Sequence, residues 1–340
     1  MKPVTLKEIA EKLNLSITAV SKALKDYPDI SKETKARVKA LAKELNYVPN
    51  SFAVNLRTKS SKTIGVIIPA TVHHFFSNVI KGIITIAEEH GFLVILLQSN
   101  ENFELEKKQI DLLLNKGVDG ILISLSNKTN RYEHLNKVID YNVPLVLFDK
   151  IAKQVNCSKV IIDDRKASYN AVTCLIKKGY KRIAHFRGDL NPQNSIDRFL
   201  GYKQALLDNN IPFDKNLVYV CNNNADYEDG YANTKKMIEI DKIEVDAVFT
   251  ITDVVAIGVL KYLNDHKIKV PEEIAIFGFS NWFMSSIVSP SLSTVNQPGY
   301  EMGKTAVEIL LKEIKNKKKN ITFDYTTIVL ETELVIRESS

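Results

Sequence analysis

The chain reads as two kinds of structure in series: an all-α helix-turn-helix head, then an α/β body of two doubly wound parallel-sheet lobes. Three observations predict this. Three short amphipathic segments, each opened by a capping residue, fill the first stretch up to Leu45. From Thr63 onward, apolar runs alternate with amphipathic stretches, the pattern of parallel strands joined by helices. The charge is also segregated. Residues 1–62 hold 13 Lys+Arg against 6 Asp+Glu, a net of +7, whereas the whole chain carries +6, so the remainder is −1. A basic head on a neutral body points to a polyanion-binding module joined to something else.

Length and composition bound the rest. The 340 residues exceed one ordinary core, and 45% apolar with 25% charged residues is a globular composition. Runs such as Phe92–Leu97 reach barely a third of a bilayer span. The opening Met1-Lys-Pro-Val lacks the apolar stretch of a signal peptide. Cys157, Cys174 and Cys221 are odd in number and widely spaced, which suits reduced thiols better than a disulfide framework or a zinc site. The expectation is a cytoplasmic protein with no membrane segment, no metal and no cofactor.

In the head, Thr5-Leu-Lys-Glu8 is a capping box. Leu6, Ile9, Ala10 and Leu13 follow helical spacing. Asn14 tolerates the left-handed turn that must follow. Ser16 caps a second helix, Ile17–Leu24, which buries Val20 and Leu24 and leaves Ile17, Thr18, Ser21 and Lys22 outward. Ser31 caps a third that buries Val38, Leu41, Ala42 and Leu45. An outward set holding an apolar residue, hydroxyls and a cation near a helix N-terminus suits base edges and phosphates: Ile17 against a thymine methyl, Thr18 and Lys22 toward base edges, Ser21 toward phosphate.

Strands are expected at Ile64–Ile68, Leu93–Leu97, Gly120–Ser124, Leu145–Phe148, Val160–Ile162, Arg182–Phe186, Leu217–Val220, Ala247–Ile251 and Ile274–Phe279. Helices are expected at Phe76–His90, Glu104–Lys116, Arg165–Lys178, Ile196–Asn209 and Val254–His266, and from Pro298 to about Lys315. Nine strands are too many for one small core, so two lobes follow. Parallel sheets bind ligands beyond the carboxyl ends of their strands. That rule points to the turns after Ile68, Phe148, Phe186, Ile251 and Phe279. These turns carry Val72, His73, Phe75 and Phe76, then Asp149, Asn194 with Arg198, Thr252 with Asp253, and Ser280 with Trp282; Gln297 lies on the returning segment. Asp253 reads equally as a helix cap or a ligand contact. Gly303-Lys-Thr305 ends like a phosphate-binding loop, but Pro298 occupies the upstream glycine position and has no amide to give. His73 and His74 are adjacent and carry no metal-ligand spacing.

Thr5-Leu-Lys-Glu-Ile-Ala10, Val20-Ser-Lys-Ala-Leu24, Ile30-Ser-Lys-Glu-Thr34 and Leu45-Asn-Tyr-Val-Pro-Asn50 closely resemble the head of the lactose/galactose-repressor (LacI/GalR) regulators. The resemblance continues through Leu56-Arg-Thr58, Thr63-Ile-Gly-Val-Ile-Ile-Pro69, Phe277-Gly-Phe279 and Glu333-Leu-Val-Ile-Arg-Glu-Ser-Ser340, covering essentially the whole chain. It implies a DNA-binding domain over 1–49, a hinge helix and linker over 50–61, and an effector-binding and dimerisation body over 62–340 of periplasmic-binding-protein type. The family pattern places lobe 1 at about 62–162 and 291–322, and lobe 2 at about 163–290 and 323–340. It further implies a transcription regulator, not an enzyme, binding a palindromic double-stranded operator as a homodimer. Its DNA contacts would include Thr5, Leu6, Ser16, Asn50, Ala53 and Arg57 besides those above, with Leu56 wedging a minor-groove base step. In the cleft Arg198 would clamp a small effector, a sugar, sugar acid or sugar phosphate, and Phe75 and Trp282 would stack on it. Two departures stand in the head: Ala19 replaces a common threonine and Lys22 a common arginine, and a lysine lacks arginine's fork to guanine. Two more stand in the cleft: Ser280 replaces an aspartate and Thr252 an asparagine, which predicts a cleft less acidic than in neutral-sugar members and favours an anionic or less hydroxylated effector, with a neutral sugar as the alternative.

Overall fold

The computed structural model describes residues 4–47, 60–70, 74–221, 226–322 and 324–340. The chain divides into two compact units, Met1–Ser61 and Lys62–Ser340.

In the first unit, helix α1 spans Leu6–Leu13, and both halves of the capping box are made: Thr5 Oγ1 accepts from the Glu8 amide, and Glu8 accepts from that of Thr5. Asn14 closes α1 in the left-handed region at φ 52°. A turn later Ser16 caps α2, Ile17–Leu24, by accepting from the Ala19 amide at 3.1 Å. Ser31 caps α3, Lys32–Glu44. Ile9, Ala10, Val20, Ala23, Val38 and Ala42 form the buried centre of the three helices. Leu24, Leu41 and Leu45 pack around it half-buried.

The second unit holds two six-stranded sheets. The first runs β1 (Thr63–Ile68), β2 (Leu93–Gln98), β3 (Gly120–Ile123), β4 (Leu145–Phe148), β5 (Ser158–Ile162) and β11 (Thr327–Leu330), in the order β11-β5-β4-β3-β1-β2 and parallel throughout. The second contains β6 (Ile183–Arg187), β7 (Val218–Val220), β8 (Ala247–Thr250), β9 (Ala275–Ser280), β10 (Ser293–Asn296) and β12 (Glu333–Val335), in the order β12-β10-β9-β8-β6-β7. Its strands are parallel except β12, which runs antiparallel to β10. Apolar residues fill the strands nearly without alternation because helices cover both faces. Those helices are α4 (His74–Glu89), α5 (Phe103–Lys116), α6 (Glu133–Asp140), α7 (Asp164–Lys177), α8 (Gln193–Asp208), α9 (Tyr227–Lys235), α10 (Asp253–Asp265) and α11 (Gly299–Lys318). A π-helical turn, Lys236–Ile240, continues α9. Helices α4 and α11 pack at glycine: a Cβ on Gly82 would lie 2.2 Å from the Tyr300 carbonyl, and one on Gly303 2.0 Å from that of Val79. Gly303 therefore serves helix packing, and the loop-like motif around it lies inside a helix.

The lobe boundaries differ from expectation. The first crossing, after β5, falls where expected. The second was placed near 290 and the third near 322, which put 291–322 in lobe 1 and 323–340 in lobe 2. Instead β10 pairs with β9 in the second sheet, so the chain crosses after Asn296. Strand β11 pairs with β5 in the first sheet, so the last crossing lies between Leu330 and Glu333. Lobe 1 thus holds 62–162 and about 298–331, and lobe 2 holds 163–296 and 332–340. Ser293–Asn296 is short and polar and gives little strand signal by itself. Helices α6 and α9 and strands β11 and β12 were likewise not expected from the sequence.

Candidate functional site: a recognition face and an inter-lobe cleft

On the head, α2 presents Ile17, 49% exposed although a large aliphatic residue, beside exposed Thr18. Together with Leu6, Ser21, Lys22, Lys25 and Tyr27 they line one shallow depression. The structure therefore gathers Leu6, Ile17, Thr18, Ser21 and Lys22 on one surface. Thr5 and Ser16 stand at helix N-termini with their hydroxyls engaged as caps. Two features had no sequence signal. Tyr27 joins the face from beyond the helix. Lys22 is ion-paired to Asp29, seven residues on, and the pairing holds the Asp29 carboxyl below its ordinary range. Asn50, Ala53, Leu56 and Arg57 lie outside the described residues, as do Val72 and His73 of the cleft.

Between the lobes lies a cavity of about 110 Å³ at the carboxyl ends of the central strands. Phe75, Phe76, Asp149, Asn194, Arg198, Thr252, Ser280, Trp282 and Gln297 all line it. Lobe 1 supplies Phe75 and Phe76 from the first turn of α4, their rings edge-to-face at 5.3 Å. It also supplies Asp149, held at φ 56° where β4 ends.

Lobe 2 supplies Arg198 from α8, 4% exposed. Its Nε donates to Asp164 Oδ1 and its Nη1 to the Ile251 carbonyl, each at 2.7 Å, while the guanidinium lies 3.6 Å from the centroid of the Phe279 ring. The ring and two anchors fix the plane of the fork; Nη2 has no protein hydrogen bond among the described residues. Burial, opposed by Arg198, pushes Asp164 up to about 7. Burial also raises Asp149, against the pull of Arg198 and Lys150.

Thr252, not Asp253, caps α10. Asp253 is a fully buried support: its carboxylate accepts from the Thr294 hydroxyl at 2.6 Å, the Ser285 hydroxyl at 2.8 Å and the Trp282 amide at 2.6 Å. This network holds the loop in which Ser280, at φ 101°, and Trp282 face the cleft.

The sequence did not show Glu101, Asn127, Asp189 or Ser195 as cleft residues, because tertiary contacts bring them there. They also add to the charges of the cleft. The lining carries the carboxylates Glu101, Asp149 and Asp189 against the cations Lys150 and Arg198. Lys150 is paired to Glu101 at 2.6 Å, and Asp189 to Lys128 of the opposite lobe at 3.1 Å. The absence of an aspartate at 280 is offset elsewhere, so the cleft is not depleted of acidic groups. Two lining atoms, Gln297 Nε2 and Ser195 Oγ, are buried without a hydrogen-bond partner among the described residues. An unpartnered buried polar atom is costly, so both are open to a hydrogen bond from outside the protein.

A helix-turn-helix head followed by a two-lobed α/β body with a polar cleft defines the class of DNA-binding transcription regulators that carry a small-molecule-binding domain. Residues 5–50 match the model of bacterial regulatory proteins, lacI family, and residues 61–328 match periplasmic binding proteins and sugar binding domain of LacI family. The chain is 32% identical to the HTH-type transcriptional regulator RegA of Clostridium saccharobutylicum and 32% identical to catabolite control protein A of Priestia megaterium, in each case over 99% of both chains. Its fold matches the Lac repressor bound to ONPG in its repressed state with TM-score 0.87, 25% identity and full coverage of both chains. It also matches the complex of the transcriptional regulator CelR with cellobiose with TM-score 0.75, 26% identity, and 99% and 100% coverage. The protein belongs to the LacI family of transcriptional regulators. The named relatives are regulators, not enzymes. Among the described residues no helix is long and apolar enough to cross a membrane.

Proposed function

We propose that the protein is a repressor that binds a palindromic operator as a homodimer in the cytoplasm, controlled by a neutral, hydroxyl-rich effector of the sugar class in the inter-lobe cleft. The observation that carries the effector class is the cleft's internal pairing. Lys150 and Asp189 are neutralised within the protein and Arg198 by Asp164, while Gln297 Nε2 and Ser195 Oγ are left to a guest. A sugar acid or phosphate finds no cation there without a carboxylate partner; a neutral polyol supplies hydroxyls that donate to Asp149 and accept from Arg198, Asn194 and Gln297. Phe75 and Trp282 offer rings to an apolar sugar face. The similar regulator seen with cellobiose supports the same class.

Three-helix heads make few base contacts each, and two heads on a two-fold axis match two half-sites. Exposed aliphatic side chains at β2, an edge strand, favour the dimer: Leu93 is 65% exposed, and Leu96 on the other face of the strand and Ile84 on α4 are exposed too. Residues 50–61 are assigned to the hinge, with Asn50, Ala53 and Arg57 against DNA and Leu56 as a wedge. The wedge contributes where the duplex can kink, so Leu56→Ala weakens operator binding more than random-DNA binding; equal losses refute it. An effector touching both lobes favours closure and so shifts the population of DNA-competent dimers. The test of the effector is fluorescence of Trp282, the single tryptophan of the chain, during titration with ribose, glucose, cellobiose, gluconate and glucose 6-phosphate. Saturable change with a neutral sugar supports the reading; response confined to the two anions overturns it.

A further inference from the structure

Beneath the cleft lies a carboxylate that touches no guest and has no sequence motif. Glu106, on α5, is fully buried. Its Oε2 accepts from the Ser126 amide at 2.6 Å; its Oε1 accepts from the Thr129 hydroxyl at 2.9 Å and faces His134 Nε2 at 2.8 Å. His134 Nδ1, also buried, has no hydrogen-bond partner among the described residues. The contacts grip both ends of the turn Ser126–Thr129, which follows β3. Between them, the Asn127 amide donates to Glu101 and its Oδ1 accepts from Lys150, completing a triangle on the cleft wall. From the same turn Lys128 reaches across the cleft to both oxygens of Asp189, at 3.1 and 3.2 Å.

We propose that Glu106 is a positioning residue for the effector cleft: by pinning the Ser126–Thr129 turn it sets both the Glu101–Asn127–Lys150 wall and the Lys128–Asp189 bridge that draws the lobes together. This rests on the reading of the cleft as the effector site. A carboxylate is required because Glu106→Gln, although nearly isosteric, turns an NH₂ either toward the Ser126 amide or toward the Thr129 hydroxyl and His134, and so loosens one end of the turn. Thr129→Val removes a single donor without changing shape.

The test is acrylamide quenching of Trp282 in the full-length protein with no sugar present, alongside thermal melting. Glu106→Gln and Thr129→Val are expected to raise the quenching constant about twofold, because a loosened turn lets Lys128 leave Asp189 and the cleft open. Asn127→Ala is expected to do the same, and the Glu106→Gln/Asn127→Ala double variant no more than either alone, since both act through one turn. A role confined to stability lowers the melting temperature and leaves quenching of the folded protein unchanged. That result in Thr129→Val, or additive quenching in the double variant, overturns the proposal. Sugar binding is scored separately: a wild type that responds to no sugar defeats the effector reading, and the quenching arm still decides the role of Glu106.

Discussion

The guanidinium of Arg198 and the carboxylate of Asp164 meet at 2.7 Å inside lobe 2, each at least nine-tenths buried. The pair aims the remaining guanidinium N–H groups at the cleft and spares the arginine an unpaired charge. Arg198→Ala is expected to weaken sugar binding about 10- to 150-fold, the equivalent of a charge-assisted hydrogen bond of about 1.5–3 kcal/mol. It also leaves Asp164 buried without its cation, near Asp149 and Asp197, so the variant melts lower and regains part of that loss on acidification. Operator affinity without sugar stays within about twofold, because Arg198 belongs to the body. Isothermal titration with the responding sugar, and DNA titration of the folded variant, check both halves. Unchanged sugar affinity means the pocket is misplaced.

Lys22 carries its charge on the recognition helix against Asp29. Asp29→Asn releases that charge toward phosphate. Affinity for DNA is expected to rise about two- to fivefold at low salt, with a steeper dependence on salt concentration. Anisotropy titrations from 50 to 200 mM salt measure it. A flat salt dependence in wild type contradicts the electrostatic account of the basic head.

Glu313, on α11, is 3% exposed, and its one hydrogen-bond partner among the described residues is the Ser158 hydroxyl. Burial pushes its carboxyl up to about 7. A group whose folded value is raised binds its proton more tightly when folded. Its contribution is therefore complete below about 4.5 and is lost as pH rises through about 7. Glu313→Gln is expected to be more stable than wild type at pH 8 by about 1–3 kcal/mol, and no more stable at pH 4.5. Urea unfolding at the two pH values decides; a difference independent of pH overturns the assignment.

What was legible in the sequence follows from range. Thr5 with Glu8, Asn14 and Ser16 act within one or two turns, and the head they define is the head observed. The central strands announce themselves because both faces are buried and most of their residues are apolar. Strand β11 could not be read that way, since Thr327, Ile328 and Val329 sit exposed on a sheet edge. The cleft was half legible: Asp149, Arg198 and Trp282 stand at strand ends or in a family motif. Glu101, Asn127 and Asp189 enter it through loops whose approach depends on packing, including the grip of Glu106 on Ser126, Thr129 and His134, the last of them 28 residues on. Lys22 was read as facing DNA base edges, and nothing local links it to Asp29.

The central claim is that occupancy of the cleft alters the grip of the head on DNA. It is tested most directly by anisotropy of a labelled duplex, selected from random sequence by the protein itself, titrated with protein in the absence of sugar and with a sugar that saturates the Trp282 signal. A coupling free energy of about 1–3 kcal/mol, as is typical between linked sites, predicts that the sugar shifts DNA affinity by about 5- to 150-fold in wild type, and that Arg198→Ala needs a correspondingly higher sugar concentration for the same shift. Identical DNA affinity with the cleft of the wild type empty and saturated would contradict the account.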